Sequence, residues 1–482
     1  MNGEKLLIGI DLGTSSVKIG AFSQSGEPRF LVSEPFRGDP LKPEVWWKAT
    51  CRGLRTMLSA LGTSRIMAIS VGGQGPTLVG IDPNGQSLGL ALPWSDTRAE
   101  IYAKEVSNKL KKQVNAGWSY LLRVYWVYRE DKHRFDNTYK FMQAWDFLTY
   151  RLTGNLAGSE LPWSHPWPQA DLASMNFPAE KFITILDWGT VLGETDKSII
   201  FDTGLPAGIP VVGGTGDATL SIIGSPGLDL GWAHNEGGSS GGISVLCDQP
   251  VQGEGLLSAP FVIPGWWMVG GPTSSGGRTV QWLLHDILGY SGDYRPLIER
   301  ALSKCSHPAP LMFLPYLDGE RAPIWDMSVR GAFLGLSLNH THEDLISAVI
   351  EGVTLGLKDI LERVKTAGVK IHAATVYGGQ AYNPGWNQLK ADVFGIPVHV
   401  PLVKESTCLG AAAIAGWGIG IWPDIATAGR SLRIVEYTCV PSDPTAAAWL
   451  EKLMSFREIY LRTRDPVPIL TEKKGENESE FD

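Results

Sequence analysis

The stretch Leu6–Ile19, Leu-Leu-Ile-Gly-Ile-Asp-Leu-Gly-Thr-Ser-Ser-Val-Lys-Ile, restricts what this chain can become more than any other. An apolar run ending at Asp11 reads as a buried strand. Gly13, Thr14, Ser15 and Ser16 make a short polar turn, and Val17–Phe22 is apolar again, which predicts a hairpin. Such a turn offers backbone N–H groups and short hydroxyls to an anion, with no bulky side chain in the way. Asp11 stands at its rim, where a carboxylate can hold Mg²⁺ through water, and Lys18 adds a positive charge. An ordinary Gly-Thr hairpin has the same sequence, so Asp-x-Gly-Thr alone is weak.

The form recurs. Residues 208–217, Gly-Ile-Pro-Val-Val-Gly-Gly-Thr-Gly-Asp, again run from an apolar strand through glycines to an aspartate. Gly237-Gly238-Ser239-Ser240-Gly241-Gly242 precedes the strand-like Ile243–Cys247, and Val376-Tyr377-Gly378-Gly379 closes another apolar run. Glycine turns of this kind in both halves predict two similar halves facing a shared nucleotide cleft. Strands alternating with helices place the chain in the α/β class. Helices are predicted over Pro43–Ala60, from near Thr97, and over Arg278–Leu288, Asp344–Ala367, Trp386–Phe394 and Pro441–Thr463. Ser406–Trp417 reads as a small-residue helix lying close to a sheet.

Two longer strings carry a resemblance. One is Leu314-Pro-Tyr-Leu-Asp-Gly-Glu-Arg-Ala-Pro323; the other is Gly331-Ala-Phe-Leu-Gly-Leu336 followed by Asp344-Leu345 and Ala348-Val-Ile-Glu351. On these the chain resembles the FGGY family of carbohydrate kinases, within the actin/hexokinase/Hsp70-like superfamily. Its xylulose kinases look closest, and the likeness runs from about residue 6 to about residue 420.

The resemblance implies two ribonuclease-H-like α/β domains flanking an ATP and sugar cleft. The sugar side would be 1–229 and the nucleotide side 230–464, with 465–482 a charged, disordered tail. It implies ATP with Mg²⁺, and transfer of phosphate to a primary hydroxyl of a small sugar or polyol. Asp217 falls at the family's base position, where one carboxylate takes the acceptor's proton. The alternative for Asp217 is a cap on a helix starting at Ala218. Asp11 and Asp217 would face the metal. The phosphates would lie on Gly13, Thr14, Ser15 and Lys18 from one half and on Gly238, Ser239 and Ser240 from the other. Gly276 opens a helix whose N-terminus is offered to the nucleotide, and Gly378, Gly379 and Gln380 stand at the adenosine loop, with Gln380 replacing a glycine.

The sugar side shows the sharpest departures. Xylulose kinases carry Gly-Gln-Met-His-Gly where this chain has Gly73-Gln74-Gly75-Pro76-Thr77. Gln74, Gly75 and Pro76 would face the sugar, and two side-chain contacts are lost. That loss puts xylulose in doubt, and the smaller Gly75 is expected to leave room for a longer or differently branched polyol. Asp96, in Trp94-Ser-Asp-Thr-Arg98, is a sugar ligand or a helix cap. Trp145 precedes Asp146 where the family has lysine, Arg123 stands where lysine is usual, and the Trp/Pro-rich loop around Trp163 is short. Trp145 and Trp163 join Asp96 as candidate replacement contacts.

Net charge is −8, which gives no reason to expect a nucleic acid or anionic membrane partner. Five cysteines, widely spaced and without a Cys-x-x-Cys pair, suggest neither a disulfide framework nor a zinc site. No apolar run approaches ~20 residues, and no basic leader precedes the first strand, so a cytoplasmic protein is expected. A homodimer remains open. The rival readings are a glycerol- or alditol-type kinase, a non-catalytic ATP-binding member of the superfamily, and a serine hydrolase using Ser240 in Gly-x-Ser-x-Gly. The hydrolase requires a helix after the serine, whereas Ile243-Ser-Val-Leu246 predicts a strand.

Overall fold

The computed structural model describes residues 4–62, 66–114, 119–161, 165–305, 308–442 and 446–464. Trp163 and the tail from 465 lie outside the described residues. The chain divides into two compact units, Met1–Ser225 with Glu405–Ile434, and Pro226–Lys404 with Val435–Asp482.

The first unit is built on a six-stranded sheet. The hairpin forms as its alternation of apolar run and polar turn demands. Leu6–Leu12 pairs antiparallel with Ser16–Phe22, in a register that sets Asp11 opposite Lys18. Its other edge pairs parallel with Ile66–Gly73, which in turn pairs parallel with Pro210–Gly216. All seven residues of the first strand are buried, as expected for a strand covered on both faces. One cover is Pro43–Leu61, which has proline in its first turn and packs Trp46, Leu54 and Met57 inward. The other is Ser406–Gly418. A Cβ at Gly9 would stand 1.8 Å from the Cys408 carbonyl oxygen, and one at Gly410 would stand 1.9 Å from that of Leu220. Glycines therefore let this helix sit directly on the strand, and they are why the expected boundary near 230 does not hold for the whole chain: residues 405–434 belong to the first unit.

The second unit has a seven-stranded sheet. Its centre joins Trp232–Glu236, antiparallel to Gly241–Cys247 and parallel to Ala373–Tyr377. The long helix His342–Thr366 is capped at Thr341, where Asp344 closes the capping box. Pro384–Phe394 and Ala446–Thr463 add further cover, burying Trp386, Trp449 and Phe456. The helix expected over Arg278–Leu288 is split. Gly277–Gln281 is a short α-helix, and Trp282–Ile287 winds into a π-helical turn.

Candidate active site

In the first unit the hairpin turn is held from three sides. The Gly13 amide donates to the Ser16 carbonyl at 3.0 Å, and the Phe36 amide donates to the Ser15 carbonyl at 2.9 Å. Gln74 supplies the third brace: its backbone amide donates to Leu12 at 2.8 Å and its side-chain amide to the Gly13 carbonyl at 3.1 Å. Gln74 is buried, so its side-chain amide supports the turn. Thr14 and Ser15 are exposed at the tip, while Asp11 is buried just behind it. Lys18 is ion-paired with Glu405. Burial works against the Lys18 charge, but Glu405 and then Asp11 outweigh it and raise its pKa.

Asp217 is the first residue of the helix Asp217–Ile223, directly after the strand Pro210–Gly216. It is half-buried, and its Oδ1 accepts the Ala218 amide at 2.8 Å. The helix thus begins at Asp217 itself, with Gly216 at its N-cap, one residue earlier than the cap on a helix starting at Ala218 that was the alternative to the base. Asp96 accepts the Arg98 amide at 3.1 Å and the Arg98 Nε at 2.8 Å, and Arg98 lies over the Trp126 ring at 4.9 Å. Arg123 is buried and donates to the carbonyls of Pro93, Trp94 and Ser119, tying the loop that carries Asp96 to the helix Tyr120–Glu130. Burial lowers its pKa.

The space expected beside Gly75 is filled. A Cβ there would meet Trp145 Cζ3 at 2.7 Å, Cη2 at 3.0 Å and the Tyr120 hydroxyl at 3.3 Å. Trp145 thus takes up the volume directly beside Gly75. Trp163, the other tryptophan named as a contact, is not among the described residues.

Two residues absent from the sequence-based site belong to this cluster. Asp146 closes the capping box of its helix by accepting from the Gln143 backbone amide at 3.4 Å, it also accepts from the Gln143 side chain at 2.9 Å, and burial pushes its carboxyl up to about 7. The Gly158 backbone leaves room for it, since a Cβ there would stand 2.6 Å from the carboxylate. The Tyr120 phenol is raised well above its ordinary value by burial, then by the charge of Asp146, with Asp217 a smaller contributor. The available sequence signal was the paired change, a tryptophan at 145 matching a glycine at 75. Only the fold reveals that the two touch.

In the second unit the Gly237–Gly242 turn is clamped by its neighbours. Gly277 and Arg278 donate their amides to the Gly238 and Ser239 carbonyls at 3.0 and 2.8 Å. The helix N-terminus expected to offer these donors to an anion therefore spends them on the loop. Gly276 is buried against Ser240, where a Cβ would stand 2.6 Å from its carbonyl. Glu320 holds the same segment, accepting from the Ser274 amide, the Ser275 hydroxyl at 2.7 Å and the Arg321 amide at 2.8 Å. Burial raises its pKa despite these bonds. Beside it lies a cavity of about 370 Å³, lined by Ser274, Arg278, Gln281, Trp282 and Pro315 among others.

Gly378 adopts φ 77°, a conformation glycine reaches without strain, and the Gln380 amide donates to Gly237 at 3.0 Å. The Gln380 side chain turns inward, and its carbonyl oxygen accepts from Lys390 Nζ at 2.8 Å. Lys390 is fully buried over the Trp386 ring, and burial pulls its pKa well down. Ser240 is followed by the strand Gly241–Cys247, so the strand–turn–helix elbow of a serine hydrolase is not formed.

Residues 6–224 match the N-terminal domain, and residues 235–419 the C-terminal domain, of the FGGY family of carbohydrate kinases. The chain belongs to this family. It is similar to a xylulose kinase of Staphylococcus epidermidis, 27% identical over 96% of this chain and 97% of that one. It is also similar to a gluconokinase of Bacillus subtilis, 26% identical over 86% and 88%. The fold matches the crystal structure of a xylulose kinase from Lactobacillus acidophilus, with TM-score 0.82 at 22% identity over 97% and 100% of the chains. The protein is thus an ATP-dependent carbohydrate kinase of two α/β domains. Among the described residues no helix is long and apolar enough to cross a membrane.

Proposed function

We propose that this carbohydrate kinase transfers the γ-phosphoryl group of ATP to a primary hydroxyl of a small, ketose-like sugar or a polyol, with Asp217 as general base. The observation that carries the reading is the place of Asp217. It is a half-buried carboxylate at a strand-to-helix junction, and its charge contributes to the raised pKa of Tyr120. Phosphoryl transfer needs little more from the protein than positioning, charge stabilisation and a group that accepts the acceptor's proton. Asp217 orients the hydroxyl and takes that proton. Within the first unit the exposed Thr14 and Ser15 offer hydroxyls to phosphate, within the second Ser239 does so, and Gly276 and Gly378–Gln380 serve the nucleoside.

Mg²⁺ fits Asp11, because this ion keeps most of its waters and asks for one or two carboxylates alongside the phosphates. Asp11 is a buried carboxylate directly behind the exposed turn, and Asp217 would supply the second carboxylate. When bound with ATP, the ion neutralises charge on the transferring group.

ADP release coupled to a visible readout, over D-xylulose, D-gluconate, glycerol and other ketoses and alditols, tests the reading. Acceptor-dependent turnover that requires ATP and Mg²⁺ is expected. ATP hydrolysis indifferent to every acceptor contradicts it.

A further inference from the structure

Lys390, on the helix Pro384–Phe394 of the second unit, is a buried lysine that the mechanism above does not use. It is 0% exposed, and its Nζ lies 5.0 Å from the centre of the Trp386 ring. Lysines are almost never fully buried unless paired with a charge. Burial alone acts on this one, with no carboxylate beside it to hold its proton. Among the described residues its one hydrogen bond goes to the Gln380 side-chain carbonyl at 2.8 Å, and Gln380 is itself 3% exposed.

Gln380 stands where two glycine turns meet. Its backbone amide donates to the Gly237 carbonyl at 3.0 Å, and the Gly237 amide donates to the Tyr377 carbonyl at 2.8 Å. The glutamine stem lies against the same glycine, since a Cβ at Gly237 would stand 2.7 Å from the Gln380 Cβ. The helix grips the turn a second time through Asn387, which is 0% exposed. Its Nδ2 donates to the Ala381 carbonyl at 2.9 Å and to the Tyr437 hydroxyl at 2.9 Å. Hydrogen bonds are directional, so these two side chains fix the orientation of the turn as apolar contact would not. An uncharged amine serves this purpose without the cost of burying a charge.

We propose that Lys390 is a positioning residue for ATP. Through Gln380 Oε1 it sets the turn Gly378–Tyr382, and through the Gln380–Gly237 bond it sets the turn Gly237–Gly242, so affinity for the nucleotide depends on a fully buried side chain. The inference rests on the reading that these turns serve the nucleotide, and it names what holds them in register. It also gives glutamine at 380 a purpose, because a glycine there has no side chain to receive the Lys390 amine.

The test uses the full chain as wild type, Lys390→Met, Gln380→Met and the double variant. Calorimetry gives ATP affinity, and ADP release gives KM for ATP and for the best acceptor. Each single variant is expected to weaken ATP binding by about tenfold, with KM for the acceptor within about twofold of wild type. The double variant should lose no more than the worse single variant, because all three lack the same bond. It leaves neither partner buried and unpaired, so its melting temperature should return toward that of wild type while its ATP affinity stays low. A merely structural pair would recover both together. The inference is overturned, with the kinase reading intact, by ATP affinity within about twofold of wild type in Lys390→Met. ATP and acceptor constants that move in step overturn it too, as do losses that add in the double variant or ATP affinity that returns with the melting temperature. If Lys390→Met does not fold, Gln380→Met and the double variant decide by the same criteria. If no variant folds, the pair is structural and the inference is overturned. The kinase reading is judged on wild type alone. ATP binding without turnover of any acceptor fails that reading, and the ATP affinities and melting temperatures then decide the inference; a wild type that binds no ATP overturns both.

Discussion

Asp146→Asn isolates one buried charge. The Asp146 carboxyl is 1% exposed, and burial lifts its pKa from 3.8 to about 7. Between those values the folded chain holds a proton that the unfolded chain has released. Stability therefore includes a contribution that is fully present below the unfolded pKa and is lost as pH rises through the folded pKa. From about pH 5.5 to about pH 8, stability falls over the roughly 1.5 pH units up to the folded pKa, and at 1.36 kcal/mol per unit the loss is about 2 kcal/mol. Asparagine keeps the size and most of the capping geometry and does not titrate. Its stability should lack this decline, while every other titrating group contributes equally to both proteins. In melts followed by circular dichroism, wild type should fall relative to Asp146→Asn by about 4–8 °C between the two pH values, using the scaling for a unit of this size. Melting temperatures that run parallel across that range would refute both the raised pKa and the burial that causes it.

Asp11→Asn should raise the Mg²⁺ concentration needed for half-maximal turnover and leave KM for the sugar nearly unchanged, read from metal titrations at saturating acceptor. D-xylulose should be a poor substrate, with kcat/KM at least about tenfold below the best acceptor, because neither Gly75 nor Pro76 has a side-chain donor. Should D-xylulose win the comparison, that argument fails. Gly9→Ala should destabilise the first unit by on the order of 3 kcal/mol, since its Cβ would stand 1.8 Å from the Cys408 carbonyl oxygen and neither backbone can give way. Urea unfolding checks this, and a loss under about 1 kcal/mol would show that the helix Ser406–Gly418 shifts freely.

What the sequence revealed follows how local each signal is. The hairpin at Leu6–Phe22 and the turn at Gly237–Gly242 were legible because period, turn chemistry and strand end fall within a few consecutive residues. The small-residue helix Ser406–Gly418 was legible as an element, but its unit was not. Glycine at 9 and 410 permits the contact without naming the partner, so the linear boundary near 230 missed the return of 405–434. Asp217 could be placed because an aspartate ending a glycine-rich strand is a short pattern. The sugar side was misread in volume. Gly75 suggested space, and only the packing of a helix nearly seventy residues later shows that the Trp145 ring occupies it. Tyr120 and Asp146 were missed for the same reason: burial is a property of three dimensions. The amides of Gly277 and Arg278 looked available to an anion until the structure gave them to Gly238 and Ser239.

The central claim is that Asp217 accepts the acceptor's proton. Single-turnover phosphorylation of the best acceptor by wild type and Asp217→Ala, with ATP binding followed in parallel by calorimetry, tests it most directly. A fall of roughly 10²–10⁴-fold in the rate with ATP affinity unchanged is the predicted result. A variant that retains near-normal turnover on its best acceptor would remove Asp217 from that role.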